Sequence, residues 1–147
     1  MVSINRMVKK RLGELLVEQG LLSNEQVQDA LRMQHQSGLL FGETLVQNKL
    51  ITEEKIVAVL VNQFGIPYIL PTQYQIAKDL LEIFEPTMMR RYQFVPMDSI
   101  GSVLVIAIAG ALTEDVLKEI EGQTGCTLQL FLTKMSEINL VLQNNGM

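Results

Sequence analysis

Arg11, Gly13 and Gln34 are the residues whose types and spacing are best suited to chemistry, and all three lie in the stretch RLGELLVEQGLLSNEQVQDALRMQ. A guanidinium beside the free N–H groups of a helix start suits a phosphate, because the helix dipole and the positive charge act together. A glutamine amide offers a donor and an acceptor to a base edge. Glycine early in a helix costs about 1 kcal/mol relative to alanine, which indicates that something approaches the backbone closely. These residues predict a site for a phosphate-containing ligand.

The leucines of the same stretch have a simpler explanation. Leu12, Leu16 and Leu31 recur at helical spacing, and they would form the core of a helical unit whether or not a ligand binds. Gly13 and its counterpart Gly42 would then permit two helices to approach closely. At the level of sequence, packing and ligand binding both remain open for these positions.

Enzymatic chemistry has no comparable signal. The sequence contains no G-x-x-x-x-G-K-[ST] phosphate loop, no G-x-S-x-G nucleophile motif and no zinc-ligand spacing. Cys126 and His35 are the only cysteine and histidine, so neither an internal disulfide nor a Cys/His metal cluster can form. Neighbouring carboxylates such as Glu53 and Glu54 are explained by solvated helix faces. We therefore expect a protein that is not an enzyme and has no catalytic residue, metal or cofactor.

The 24-residue stretch is repeated. Aligning residues 11–34 with residues 40–63, at an offset of 29, gives eight identical pairs: Gly, Glu, Leu, Val, Leu, Glu, Leu and Gln. Self-similarity at a fixed offset predicts a repeated structural unit. Two related motifs side by side suit an elongated ligand or one with two similar halves, such as a cyclic dinucleotide with its two phosphates and two bases.

Each copy has the signals of two helices. Gly20 predicts the end of the first helix, and Ser23 with Gln26 has the spacing of a capping box that starts the second near residue 24. Thr52 takes the cap position in the second copy. Residues 1–66 are therefore expected to form a four-helix unit made of two repeated helical hairpins.

The pattern changes near residue 67, where Gly65, Pro67 and Pro71 interrupt helix. A helix is predicted at residues 74–84, and a shorter one after Pro86. YQFVPM and SVLVIAIA have the pattern of two strands around the turn DSIG, and CTLQLFL that of a third. DVLKEIEG predicts a helix closed by Gly122, and MSEINLVLQ predicts a terminal helix. The fold class is thus α+β, with a small α/β sandwich of about three strands and one crossover over residues 67–147.

Charge and hydropathy limit the partners. The formal net charge is −4, although Arg6, Lys9, Lys10 and Arg11 form a cationic patch before the first acid. Extended nucleic acid is not an expected partner, because a large basic face is missing. MVSINRMVKK lacks the apolar run of a signal peptide, and the longest apolar run, VLVIAIA, is far shorter than the roughly 20 residues of a membrane helix. We expect a cytoplasmic protein without direct membrane insertion.

The first motif resembles a motif of a known protein family. RLGELLVEQGLLSNEQVQDALRMQ is similar, with one conservative change at Val27, to the R-L-G-x-x-L-x-x-x-G-x-x-x-x-x-x-L-x-x-x-L-x-x-Q motif of a domain from type II secretion and type IV pilus assembly ATPases. That domain is the N-terminal one, of the MshEN type. The similarity continues through FGIPYI, RRYQFVPM, VLVIAIA and TLQLFLTKMSEI, and so covers nearly the whole chain.

The resemblance implies a non-catalytic regulatory module that, in many members, binds the second messenger cyclic di-GMP across two tandem motifs. In other members it implies a domain that docks the motor ATPase onto the inner-membrane platform without nucleotide, which makes the protein peripheral to that membrane through its partners. Carried over by position, the first motif supplies Arg11, Leu12, Gly13, Leu16, Gly20, Leu31 and Gln34. The second supplies Phe41, Gly42, Leu45, Leu60 and Gln63.

The second motif is degenerate. Leu40 stands where the first copy has Arg11, and Lys49 stands where it has Gly20. Lys49 must either leave the left-handed geometry available to Gly20 or accept a cost of about 1 kcal/mol. Gly110 and Ala111 stand where the family often has an Asp-Pro pair. The ATPase that normally follows is absent from this chain, so a stand-alone regulator and a truncated ATPase are both compatible with the sequence.

Overall fold

The computed structural model describes residues 12–110, 112 and 114–147, which form eight α-helices and a three-stranded sheet. The expected α+β class is therefore confirmed. The helices are α1 (Leu12–Glu18), α2 (Asn24–Ser37), α3 (Phe41–Gln47), α4 (Glu53–Phe64), α5 (Lys78–Leu81), α6 (Pro86–Tyr92), α7 (Glu114–Thr124) and α8 (Met135–Asn144). The strands are β1 (Phe94–Ile100), β2 (Val103–Ile108) and β3 (Thr127–Leu132).

Local capping signals define the two helical hairpins, α1 with α2 and α3 with α4. The Gln26 N–H donates to Ser23 Oγ at 3.1 Å, and the Ser23 N–H donates to Gln26 Oε1 at 2.9 Å, so the predicted capping box is present. The Lys55 N–H donates to Thr52 Oγ1 at 3.3 Å in the second copy. Because these bonds are local, the sequence was sufficient to predict both helix starts.

The turns between the paired helices have the same backbone conformation although their residues differ. Gly20 has φ +72° and Lys49, at the equivalent position, has φ +58°. Lys49 therefore does not leave the left-handed conformation. It keeps the geometry of Gly20 and accepts the steric cost of its Cβ in that region.

The predicted helix at residues 74–84 is mostly wrong. The chain has a 3₁₀ turn at Pro71–Gln73, extended backbone at Tyr74 and Ala77, and only the four-residue α5. The physical reason is burial: Leu80, Leu81 and Phe84 are buried, whereas Tyr74 is exposed and Ile76 is only partly buried, so a helix there would bury little on its first turn.

The sheet has the order β1-β2-β3. β1 and β2 form the predicted antiparallel hairpin, with a register shift between Pro96 and Asp98, and β1 extends through DSI, which was expected to be turn. β2 and β3 are parallel, and α7 makes the predicted crossover between them. The prediction that Gly122 ends this helix is wrong, because α7 continues to Thr124 and the left-handed residue is Gly125, with φ +68°.

One hydrophobic cluster runs from the helical hairpins into the sheet. Polar contacts join the same parts: Glu53 in α4 accepts from the backbone N–H and the hydroxyl of Ser136 in α8, both at 2.9 Å. The Ile69 N–H donates to the Leu132 carbonyl at 2.9 Å, so the connecting segment extends along β3. The boundary near residue 67 stays a prediction. None of the helices in the described residues has the length and apolar character that crossing a bilayer requires.

Candidate functional site

A cleft of about 870 Å³ opens between the helical hairpins and the C-terminal end of β2. Its hairpin wall comes from α1, α2, the start of α3 and one residue of α4: Leu12, Gly13, Glu14, Val17, Asn24, Val27, Gln28, Leu31, Gln34, Leu40, Phe41, Gly42 and Ile56. Its second wall comes from the last residue of α6, the segment after β2 and the starts of α7 and α8: Tyr92, Ala109, Gly110, Leu112, Glu114, Asp115 and Met135. This volume is within the range of small-ligand sites.

The first motif contributes four of its predicted residues to this cleft: Leu12, Gly13, Leu31 and Gln34. Leu16 does not contribute, because it is fully buried in the core, and Gly20 lies in the exposed turn between α1 and α2. Arg11 lies outside the described residues.

Leu31 corrects the packing interpretation of the leucines. Its side chain is 37% exposed on the cleft wall, whereas Leu15, Leu16 and Ala30 are fully buried. The helical period alone could not separate these positions, because a residue at the border of the apolar face can point to the core or to a cleft.

Of its predicted site residues, the second motif contributes only Phe41 and Gly42 to the cleft, which Leu40 and Ile56 of the same motif also line. Leu45 and Leu60 are buried in the core, and Gln63 is half-buried away from the cleft lining. The two copies therefore do not form two equivalent half-sites. Lys49, whose identity departs from the first motif, lies in a separate cleft of about 520 Å³ at the start of α4.

The two motif glycines are packed reciprocally. A Cβ on Gly13 would lie 3.0 Å from Val27 Cγ1 and 3.4 Å from Phe41 Cε2. A Cβ on Gly42 would lie 3.6 Å from Leu12 Cδ2 and 3.8 Å from Ile56 Cδ1. Leu12 aligns with Phe41 in the repeat, and Val27 aligns with Ile56. Each glycine therefore faces the second helix of its own hairpin and the first helical residue of the other hairpin.

These distances divide the roles of the two glycines. At 3.0 Å from Val27 the space beside Gly13 is already filled by the protein, so packing explains this glycine without a ligand. The contacts around Gly42 are ordinary van der Waals distances, so packing does not require glycine there. Because Gly42, Leu12 and Ile56 all line the cleft, glycine keeps this part of the wall free of a further side chain.

The electrostatic character of the cleft differs from that of a simple anion site. Its acidic lining residues are Glu14, Glu114 and Asp115, and no Lys, Arg or His lines it among the residues that the structure covers. The Lys118 ammonium lies 3.1 Å from the Glu114 carboxylate and partly neutralises it. Positive charge for a phosphate would have to come from Arg11 and the cationic patch, which lie outside the described range.

The second wall contains Tyr92, Ala109 and Leu112, which the sequence did not indicate, and Gly110, which the sequence indicated only as a departure from the family's Asp-Pro pair. Tyr92, Ala109, Gly110 and Leu112 are far in sequence from both motifs, and Ala111, next to Gly110, lies outside the described residues. A general signal was available, because ligands of sheets with parallel strands bind beyond the carboxyl ends of the strands, and β2 ends at Ile108.

Over residues 12–110, 112 and 114–147 there is no group of three His, Cys, Asp or Glu side chains arranged to hold a metal ion.

Comparisons with known proteins relate the chain to one family. The model of the MshEN domain family matches residues 64–146. The chain is 26% identical over 130 residues to the type IV pilus assembly ATPase PilB of Myxococcus xanthus, a match that covers 88% of the chain. It spans only 23% of the length of that relative.

Two solved structures share the fold. The structure of MshE with cdg superposes with a TM-score of 0.68 at 22% identity, covering 93% of this chain and 99% of that one. The N-terminal domain of XpsE superposes with a TM-score of 0.71 at 19% identity, covering 90% of this chain and 92% of that one. The chain therefore has the size and fold of a single N-terminal domain from proteins of this kind.

Proposed function

The chain belongs to the MshEN domain family, and we propose that it is a non-catalytic regulatory module that binds cyclic di-GMP in the cleft between its helical hairpins and its sheet. The observation that carries this proposal is the meeting of Leu12, Gly13, Leu31 and Gln34 with Phe41 and Gly42 in one cleft. The resemblance assigned these residues to a ligand site, and packing does not explain all of them. The shared fold with MshE, solved with cdg, supports the same ligand.

In this proposal each group has a role that follows from its chemistry. Arg11 pairs with a phosphate, because a guanidinium can donate two parallel hydrogen bonds to its oxygens. Leu31 and Phe41 provide apolar contact area for the bases, and Gly42 adds no side chain to the wall between Leu12 and Ile56. Gln34 reads a base edge with its amide. The other residues that the resemblance assigned act indirectly, through the packing or the turns of the hairpins: Leu16, Gly20, Leu45, Leu60 and Gln63.

Thermal unfolding with cyclic di-GMP tests the proposal. At about 100 times its dissociation constant, a ligand that binds only the folded state adds about 2.7 kcal/mol, which for this size is a rise in Tm of several degrees. Arg11→Ala should abolish that rise without changing the unliganded Tm. Arg32→Ala is the matched control, because Arg32 is exposed, pairs with Asp29 and does not line the cleft. An unchanged Tm at high micromolar ligand would contradict the proposal.

The acidic lining of the cleft favours a second candidate function, which is docking without nucleotide. Glu14 and Asp115 would repel a dinucleotide if the cationic patch did not compensate them. The chain would then be a domain that links a secretion or pilus motor ATPase to its inner-membrane platform protein. Its outer sheet face offers apolar area for a partner, with Ile100 64% exposed and Val103 and Val105 half-buried.

The two candidates predict different responses to the nucleotide. A docking domain should bind the purified platform protein equally well with and without cyclic di-GMP, and should show no ligand-induced rise in Tm. In either case the protein would act in the cytoplasm, peripheral to the inner membrane through its partners. We also propose that a motor domain accompanies this domain in the cell, because the match covers only 23% of the length of an ATPase relative.

A further inference from the structure

Tyr92 is an aromatic side chain of the second half of the chain that lines the cleft. It is the last residue of α6, it is half-buried, and neither motif includes it. Ala109 and Gly110, which line the same wall, have no large side chains. Phe41 provides an aromatic ring on the hairpin wall of the same cleft.

The backbone around Tyr92 is held firmly. The next residue, Gln93, is 2% exposed and has φ +57°, a left-handed conformation that ends α6. The Gln93 side chain donates to the Arg90 carbonyl at 2.8 Å, and the Gln93 carbonyl accepts from the Ala109 N–H at 3.0 Å. These bonds fix the end of α6 against the end of β2, so Tyr92 is attached to a rigid element rather than to a loop.

One face of the Tyr92 ring already has a partner. The Arg91 guanidinium carbon lies over the ring, 5.4 Å from its centroid, which is a cation–π contact. The ring also packs in part against the hydrophobic core, and its cleft-lining part is where a flat group could contact it. Purine bases are flat and stack on aromatic side chains whatever their sequence.

We propose that Tyr92 is a base-stacking residue of this site, contributed by the sheet half of the chain, and that Arg91 fixes the ring from behind. This inference rests on the proposed binding of cyclic di-GMP. It extends that function by assigning a contact outside both motifs, so that the ligand joins the helical hairpins to the sheet.

Isothermal titration of Tyr92 variants with cyclic di-GMP tests the assignment. Tyr92→Leu should raise Kd roughly 5- to 150-fold, the range expected when one stacked base loses its aromatic partner. Tyr92→Phe keeps the ring and should stay within about 3-fold of the wild type on the same scale. Tyr74→Leu is the matched control, because Tyr74 is 57% exposed and lies outside the cleft, and it should leave Kd unchanged.

A second measurement observes the ring in the wild-type complex and needs only the conservative Tyr→Phe variants for assignment. In the wild-type protein with labelled tyrosines, the three ring signals are assigned with Tyr→Phe variants. Stacking should move the Tyr92 ring protons upfield when ligand is added, and should leave those of Tyr68 and Tyr74 in place. Normal affinity in Tyr92→Leu, or an unmoved Tyr92 signal in a saturated complex, would overturn the stacking role while the binding function stands. No binding by the wild type would overturn both.

Discussion

Gly13 and Gly42 occupy equivalent positions in the two repeats, yet their surroundings differ. The nearest atom to a Cβ on Gly13 would be Val27 Cγ1, at 3.0 Å, and the nearest to a Cβ on Gly42 would be Leu12 Cδ2, at 3.6 Å. Packing therefore requires glycine at position 13, whereas a Cβ at position 42 would fit at ordinary contact distance. The difference can be measured, because alanine adds only the Cβ.

Gly13→Ala should lower the free energy of unfolding by about 1 to 3 kcal/mol, the usual cost of overpacking. Gly42→Ala should leave stability unchanged or raise it by up to about 1 kcal/mol, because alanine is the better helix former. In the proposed function, Gly42→Ala should also weaken cyclic di-GMP binding. Urea unfolding and titration of both variants separate these effects. A larger loss of stability in Gly42→Ala than in Gly13→Ala would contradict the distances.

Glu43, next to Gly42, is a partly buried carboxyl whose titration changes stability. Burial raises the pKa of Glu43 above the usual 4.5. The hydrogen bond that its carboxylate accepts from the Leu40 N–H lowers the pKa by a smaller amount. The native state therefore holds the proton more tightly than the unfolded chain does. Its contribution to stability is fully present below pH 4.5 and is lost as the pH rises through the native pKa.

Glu43→Gln removes this titration and retains a side-chain acceptor for the Leu40 N–H. The Tm of the variant minus the Tm of the wild type should therefore increase from about pH 4 to about pH 7, because only the wild type loses the contribution of the buried carboxyl. Thermal unfolding followed by circular dichroism over that range gives the difference directly. A difference that stays constant, or that moves in favour of the wild type, would show that the Glu43 carboxyl is not destabilised by burial.

At the scale of elements, the two hairpins keep the same turn with different residues. The loop closing α1 and α2 has Gly20 at φ +72°, and the loop closing α3 and α4 has Lys49 at φ +58°. A Cβ on Gly20 would meet nothing within 4 Å, so the cost of a side chain there is purely conformational. Degeneration of the second motif at this position thus affects the turn and not the cleft.

Exchanging the turn residues tests this separation. Lys49→Gly should raise the free energy of unfolding by up to about 1 kcal/mol, since relief of the left-handed cost exceeds the added chain entropy of glycine. Gly20→Lys should lower it by a similar amount. Neither change should alter cyclic di-GMP affinity, because neither residue lines the cleft. If affinity improved in Lys49→Gly, the degenerate turn would limit binding after all.

At the scale of the whole molecule, the helical hairpins and the sheet are joined by a few specific polar contacts over a shared core. Glu53 in α4 accepts two hydrogen bonds from Ser136, in the first turn of α8, which places a carboxylate at the positive end of that helix. Glu53 lies on a partly exposed helix face, as the sequence predicted, and has in addition a partner that the sequence did not predict. Its neighbour Glu54 lies 3.7 Å from the Lys134 ammonium and is 68% exposed, as a solvated side chain would be.

Glu53→Ala should lower the free energy of unfolding by about 1 to 3 kcal/mol, because it leaves two donors of Ser136 without their charged acceptor. Glu54→Ala is the matched control and should cost less than about 1 kcal/mol, as exposed ion pairs do. Urea unfolding monitored by circular dichroism measures both changes. Equal effects of the two variants would mean that the Glu53 contact does not hold α4 to α8.

The sequence by itself determined the parts of this protein that depend on local chemistry. Capping residues such as Ser23 and Thr52 predicted helix starts, and Gly20 predicted a helix end, because their hydrogen bonds and dihedral angles involve only neighbouring residues. The β1-β2 hairpin and the parallel crossover to β3 also followed from the pattern. The helix at residues 74–84 failed, since its length depended on which side chains the rest of the protein would bury.

Only the tertiary structure decided how the candidate site is composed. It separated Leu31 on the cleft wall from Leu16 in the core, and it divided the two glycines by their distances to other side chains. It also brought Tyr92 and Gly110 to residues of the first motif that are far away in sequence. The physical reason is that a cleft is formed by long-range packing between elements, and the periodicity of one helix carries no information about what lies opposite it.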